Sequence, residues 1–258
     1  MLTALMTSSV IPWSSSFQIG DIIITPQVAD INIGILFVFG VISMGVYGIL
    51  LGAWASNNKF SLLAAIRASS QIISYELAFG VSLIALLMLT GTLSIKEIVE
   101  NQVHGNWWNV VYQPLGFLLF FICAFAECNR APFDLPESEN ELVGGYHSEY
   151  SSMKLGFFLF AEYINMFISS AVMTCLFFGG YDIPFLDESQ LPMNTAALLG
   201  LLAMMTKIFI FLFIFLWVRW TVPRFRYDQL MNLGWKKLFP LALINMIITG
   251  IVVLLMNK

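Results

Sequence analysis

The stretch from Glu127 to Tyr150, ECNRAPFDLPESENELVGGYHSEY, decides how the chain is read, because it sets six carboxylates and one arginine between two segments apolar enough to cross a bilayer. Irregular, charged backbone is tolerated at a membrane only where it meets protein or water. The stretch is therefore a loop at a membrane face, between two spanning helices. Within it, Asp134 followed three residues later by Glu137 fits an N-cap with its capping-box partner, Pro136 suits a first turn, and Gly144-Gly145 is a stop. This grammar predicts a short helix from about Leu135 to Val143. Glu137 and Glu139 fall in its first turns, where the helix dipole favours anions, and Glu137 and Glu141 share a face. Taken alone, the pattern fits a solvated surface helix as well as it fits a binding face.

Composition fixes the class. Of 258 residues, 59% are hydrophobic and only 11% charged, with a mean hydropathy of +0.82, whereas a soluble domain carries roughly 25% charged residues. We read residues 1–258 as a single integral membrane domain of all-α class, a polytopic helix bundle with long structured loops. A net charge of -4 and the lack of a basic, aromatic-interleaved patch argue against nucleic acid as a partner. Cys123, Cys128 and Cys175 form no CxxC pair and stand beside no paired histidine, which argues against disulfides, iron-sulfur clusters and zinc. His104 and His147 are the two histidines, a poor basis for bis-histidine haem. The chain is thus expected to bind no cofactor and no metal, leaving any electron transfer to other chains.

Met1 to Trp13 is too short to span, since a crossing needs about 20 apolar residues, and it reads as the tail of a helix whose beginning is missing. After a polar stretch with Pro26 and Asp30, full-length apolar segments run from Ile31 to Ala53, Gln71 to Leu89, Val110 to Ala126, Leu155 to Phe178, Ala196 to Val218 and Leu238 to Met256. Six full spans and a partial first helix are expected. Periodicity does not say which faces meet, because helices in lipid are apolar all round. No internal repeat is visible, which counts against an inverted-repeat transporter.

Lysine and arginine set the orientation. Connections after the first, third and fifth full spans hold Lys59, Arg67, Arg130, Lys154, Arg219, Arg224, Arg226, Lys236 and Lys237; the opposite side holds Lys96 and Lys258. Nine against two places the acidic loop in the cytoplasm and the carboxyl terminus outside.

Ionisable groups within spans are costly and usually face a bundle interior or a water path. Glu76 lies roughly 8 Å inside the second full span and Glu162 roughly 11 Å inside the fourth, at 1.5 Å per residue. Glu127 closes the third span at the same face, and Lys207 stands near the middle of the fifth. One reading is that these acids pair with bases and merely join helices, although no base lies within a turn of Glu162. The other is a proton relay, because burial brings the charged and neutral forms of a carboxyl close in free energy. Lys207 would either balance a carboxylate across the bundle or serve as a proton site. Two further loops join the acidic one. VRWTVPRFRYDQLMNLGWKK carries Arg219, Arg224, Arg226 and Asp228, and WASNNKFSLLAAIRASSQIISYE carries Arg67 and Gln71. Positive-inside anchoring explains part of this charge; arginines facing the loop carboxylates around an aromatic head group would explain the rest.

These three loops, together with the AEY run at Glu162, resemble the signature loops of the H subunit of the proton-pumping NADH:quinone oxidoreductase, respiratory complex I. The match runs from about Asp30 to the end, and motifs of this length at three sites are specific. The resemblance implies a membrane component at the foot of a peripheral arm, forming much of a quinone chamber and starting a proton path. Arg67, Arg130, Asp134, Glu137, Glu139, Glu141, Glu149, Arg224, Arg226 and Asp228 match chamber-side positions of the family, and Arg219 adjoins them. Glu76, Glu127 and Glu162 match its buried carboxylate chain. Quinone is the implied substrate, FMN and iron-sulfur clusters belong to partner subunits, and the implied partners are the other membrane and peripheral-arm subunits and the lipid bilayer. Asn140 and Cys128 replace residues common in the family without removing an ionisable group. Relative to the family, the chain reads as N-terminally incomplete. DLPE and GYHSEY look like bacterial versions, implying a bacterial inner membrane. Two alternatives stand beside this reading: the homologous subunit of a membrane-bound hydrogenase, and a proton or cation transporter acting alone.

Overall fold

A computed structural model describes residues 2–105, 107–135, 144–184 and 192–256. The helix expected from Leu135 to Val143, with Glu137, Glu139 and Glu141, lies outside the described residues except for its first position. The described chain is a bundle of helices: α1 (Leu2–Ser8), α2 (Gly34–Ser43), α3 (Gly45–Ala55), α4 (Lys59–Thr90), α5 (Ile95–His104), α6 (Asn109–Tyr112), α7 (Pro114–Glu127), α8 (Ser152–Phe177), α9 (Met193–Thr221), α10 (Tyr227–Leu233) and α11 (Phe239–Met256).

The central post is α4. Asn58 caps it by accepting from the Phe60 N–H, and Gly91 ends it in the left-handed conformation at φ 72°. It begins a dozen residues before the apolar run does, because the Ser- and Ala-rich stretch ahead of Gln71 continues as helix. Its buried face is built from small residues, among them Ser61, Ala64, Ala65, Ala68, Ala78, Ser82 and Ala85. Small residues let helix backbones approach closely where no hydrophobic drive separates helix from lipid. Helices α3, α7 and α11 pack on this post.

Among the described residues, five helical stretches are long and apolar enough to cross a membrane: Gly34–Ala55, Lys59–Thr90, Ser152–Phe177, Met193–Thr221 and Tyr227–Met256. The expected third span is not one continuous helix. Val110 to Ala126 is broken at Gln113, whose backbone (φ -133°, ψ 65°) is not helical, because a residue before proline is pushed out of the α region and Pro114 has no N–H to continue the ladder. The remaining α7 has 14 residues, about 21 Å at 1.5 Å per residue. It runs antiparallel to α4, with Gln113 donating to the Ala85 carbonyl at 2.9 Å and Gln71 donating to the Ala126 carbonyl at 3.4 Å.

A β-hairpin was not expected. Phe17–Ile19 (β1) pairs antiparallel with Ile22–Ile24 (β2), joined by Gly20 and Asp21, with Gly20 at φ 63°. Glycine in the first central position suits the tight turns whose twist matches a hairpin. The signal was legible as Gly-Asp flanked by β-branched isoleucines.

Candidate functional site

Two clusters of polar residues sit at opposite ends of the bundle. At one end, the loops after α3, α7 and α9 converge on the first half of α4. Gln71 donates to the Phe133 carbonyl at 2.8 Å, Phe133 packs edge-on to Tyr75, and Tyr75 donates to the Leu230 carbonyl at 3.0 Å. Phe225 donates its N–H to the Pro132 carbonyl and sets its ring at a tilt to that of Phe133, with centroids 5.9 Å apart. These contacts bring Arg224 to Asp134, with Nη2 2.7 Å from Oδ2; the carboxylate is buried and the guanidinium 42% exposed. Arg67 lies over the Tyr227 ring at 5.4 Å, and the Tyr227 hydroxyl is 3.1 Å from that of Ser70. Asn58 donates to Glu149 at 2.6 Å. Arg224, Arg226 and Asp228 are exposed, whereas Arg219 is half-buried in the last turn of α9. Of the expected chamber residues, Glu137, Glu139 and Glu141 lie outside the described residues.

Just inward lies a cavity of about 170 Å³ between α1, α2, α3, α4, α7 and α8, whose lining includes Glu127, Cys128, Asn129, Glu162, Asn165 and Ser169. Its remaining wall is largely apolar, with Phe39, Ile72, Phe79 and Phe120. A polar-edged space of this size accommodates several water molecules. Arg224, Arg226 and Asp228 do not line it. Glu76, half-buried on α4, accepts a hydrogen bond from Ser43 of α2 and is near enough to Glu127 for their charges to interact. The base missing around Glu162 in sequence arrives from the acidic loop: Arg130 Nη2 is 3.7 Å from Glu162 Oε2, both side chains are buried, and the guanidinium lies 4.3 Å from the centroid of the Tyr163 ring. Glu127 and Glu162 thus share one space next to the loop cluster, and Glu76, outside its lining, is held by Ser43.

Lys207 is elsewhere. Its ammonium donates to the carbonyls of Phe178, Gly180 and Asp182 at 2.7, 3.0 and 2.7 Å and lies 4.5 Å from the Trp108 ring, at the carboxyl end of α8. Glu162 stands sixteen residues earlier on that helix, roughly 24 Å away along its axis. Trp108 donates to Asp182 at 2.7 Å, and Gln102 ties α5 to the Cys175 carbonyl. The second cluster is therefore a helix-end clasp.

Sequence reading missed Ser43, Asn129, Asn165 and Ser169. Ser43 had a signal, a hydroxyl in the middle of an apolar span, and Asn129 adopts the left-handed conformation at φ 50° directly after the last turn of α7. Neither signal says what the residue faces.

The sequence model of the family described as NADH dehydrogenase matches residues 1–250. An NADH-quinone oxidoreductase H subunit of Cytophaga hutchinsonii is 66% identical over 255 residues, covering 99% of this chain and 74% of the relative. The H subunit of the same enzyme from Flavobacterium johnsoniae is 60% identical, covering 98% of this chain and 73% of the relative. NADH-quinone oxidoreductase subunit 8 of Rhodothermus marinus is 48% identical, covering 89% and 70%.

Proposed function

This chain belongs to the NADH dehydrogenase family as an H subunit of NADH-quinone oxidoreductase, and from that membership we propose that it forms one wall of a quinone site and couples quinone reduction to proton translocation. The observation that carries the reading is the gathering of Glu127 and Glu162 on one cavity, with Glu76 in electrostatic reach and Arg130 paired with Glu162. Two carboxylates on a space that admits water, with a third in electrostatic reach of one of them, can exchange protons in sequence, each accepting in its ionised form and donating in its neutral one. The exposed Arg224, Arg226 and Asp228, anchored through Asp134, present charged donors and an acceptor to a quinone head group or to the subunit that completes its site. Flavin and iron-sulfur chemistry belongs to other subunits. The end bearing nine of the basic residues faces the cytoplasm of a bacterial cell.

The test uses the assembled complex in membrane vesicles. Glu162→Gln keeps volume and hydrogen-bonding capacity while removing the exchangeable charge. Proton uptake during NADH:quinone turnover should fall at least about tenfold, as for loss of a general acid-base group, with NADH oxidation by a water-soluble acceptor retained and Glu162→Asp partly active. Full coupled activity in Glu162→Gln would remove Glu162 from the path.

A further inference from the structure

The helical stretch Gly34–Ala55 is continuous enough to span a membrane, yet its ladder lapses at Met44, between α2 and α3. The residue before the lapse is Ser43, whose hydroxyl lies 2.9 Å from the Phe39 carbonyl four residues earlier and also meets the Glu76 carboxylate. A serine that bonds back to the i-4 carbonyl tends to bend its helix. A hydroxyl has one proton to give and lone pairs to receive, so Ser43 cannot donate to both neighbours at once. When Glu76 is ionised, both are acceptors, and the charge-assisted bond to the carboxylate is the stronger. When Glu76 is neutral, its own O–H can donate to Ser43 Oγ while Ser43 donates to Phe39, and every group is satisfied.

Resting on the proton-path reading above, we propose that Ser43 is a positioning residue whose hydroxyl rotates between the Phe39 carbonyl and the Glu76 carboxylate as Glu76 gains and loses a proton. No proton leaves Ser43; only the direction of its O–H changes. The consequence reaches the cavity, because Ile42, Gly45 and Val46 on either side of Met44 line the space shared by Glu127 and Glu162. The charge of Glu76 thereby sets which hydrogen bond Ser43 makes within the helix that forms one wall of the cavity.

Infrared difference spectroscopy of the complex in vesicles tests this, with the Glu76 carboxyl stretch identified by its loss in Glu76→Gln. Ser43→Ala removes one oxygen and substitutes a better helix former. It should move the band to higher frequency, as expected for a carboxyl deprived of its acceptor, and displace the pH profile of proton uptake. Ser43→Thr should return both toward the parent, and Ser43→Cys, a weak donor, should fall between. A helix-packing role would lower the amount of complex and leave band and profile in place. An unmoved band in Ser43→Ala, or Thr no better than Ala at equal complex, would overturn the proposal. Undiminished pumping in Glu76→Gln would instead overturn the proton-path reading, so the two failures are separable.

Discussion

Arg130 and Glu162 illustrate how a single charge is kept inside this bundle. Each side chain is almost wholly buried, and removing one member of such a pair strands the other, typically at a cost of about 3–5 kcal/mol. Arg130→Met and Glu162→Gln should each lower the thermal stability of the assembled complex, and the double variant should lose less than the sum of the two. Strictly additive losses in that cycle would show that the pair does not couple. Arg224 and Asp134 behave differently, because the guanidinium is 42% exposed and water screens it, so its pairing with the buried carboxylate is weaker than that of a wholly buried pair. Their loss should therefore be seen in chemistry before stability. Arg224→Ala and Asp134→Ala should each slow quinone reduction several-fold in well-assembled complex, with NADH oxidation by a soluble acceptor unchanged; normal quinone kinetics in both would place the head group elsewhere. All four residues stood out in the sequence as charges beside apolar runs. That Arg130 serves Glu162 while Arg224 serves Asp134 was not legible, since sequence separation carries no information about which loop folds onto which helix.

Among the elements, α4 and α7 show what pattern reading captures and what it loses. The apolar run of each was plain, but the polar beginning of α4 and the break of α7 at Gln113 depend on helix caps and on proline geometry rather than on hydropathy. Carboxylates on spans were found because charge is rare there, whereas Ser43 and Ser169, ordinary in any helix, were not. Lys207 is a different case: its position inside a span made it a candidate proton site, and its contacts set its ammonium at the carboxyl end of α8. The carbonyl of Phe178, the C-cap of α8, and those of Gly180 and Asp182 in the turn beyond it receive its ammonium, which suits the negative end of the helix dipole. Lys207→Met should destabilise the complex by on the order of 2–3 kcal/mol, the worth of hydrogen bonds from a charged donor, read as a lower melting temperature. Proton uptake per assembled complex should stay at the parental level. The opposite pattern, intact melting with lost uptake, would assign Lys207 to the proton path.

On the scale of the whole molecule, the two ends differ in charge and in construction. One gathers the loops that hold Arg67, Arg130, Asp134 and Arg224; the other is tied by neutral side chains to helix ends, by Lys207, and by the exposed pair Lys96 and Asp30 at 3.4 Å. This asymmetry was legible in the sequence because it depends only on which connections carry lysine and arginine, and it yields a test independent of any enzymatic assay. Asn232, exposed in α10, and Asn101, exposed in α5, lie at opposite ends of the bundle. The native Cys123, Cys128 and Cys175 are all buried, so a cysteine placed at either site is read against a quiet background. In the assembled complex, a membrane-impermeant maleimide should label Asn232→Cys in inside-out vesicles and Asn101→Cys in intact spheroplasts, wherever neighbouring subunits leave the site open. Permeabilised membranes report that openness directly. Labelling of Asn232→Cys in sealed spheroplasts would invert the orientation, and with it the assignment of the Arg224 end to the face where a peripheral arm could deliver electrons.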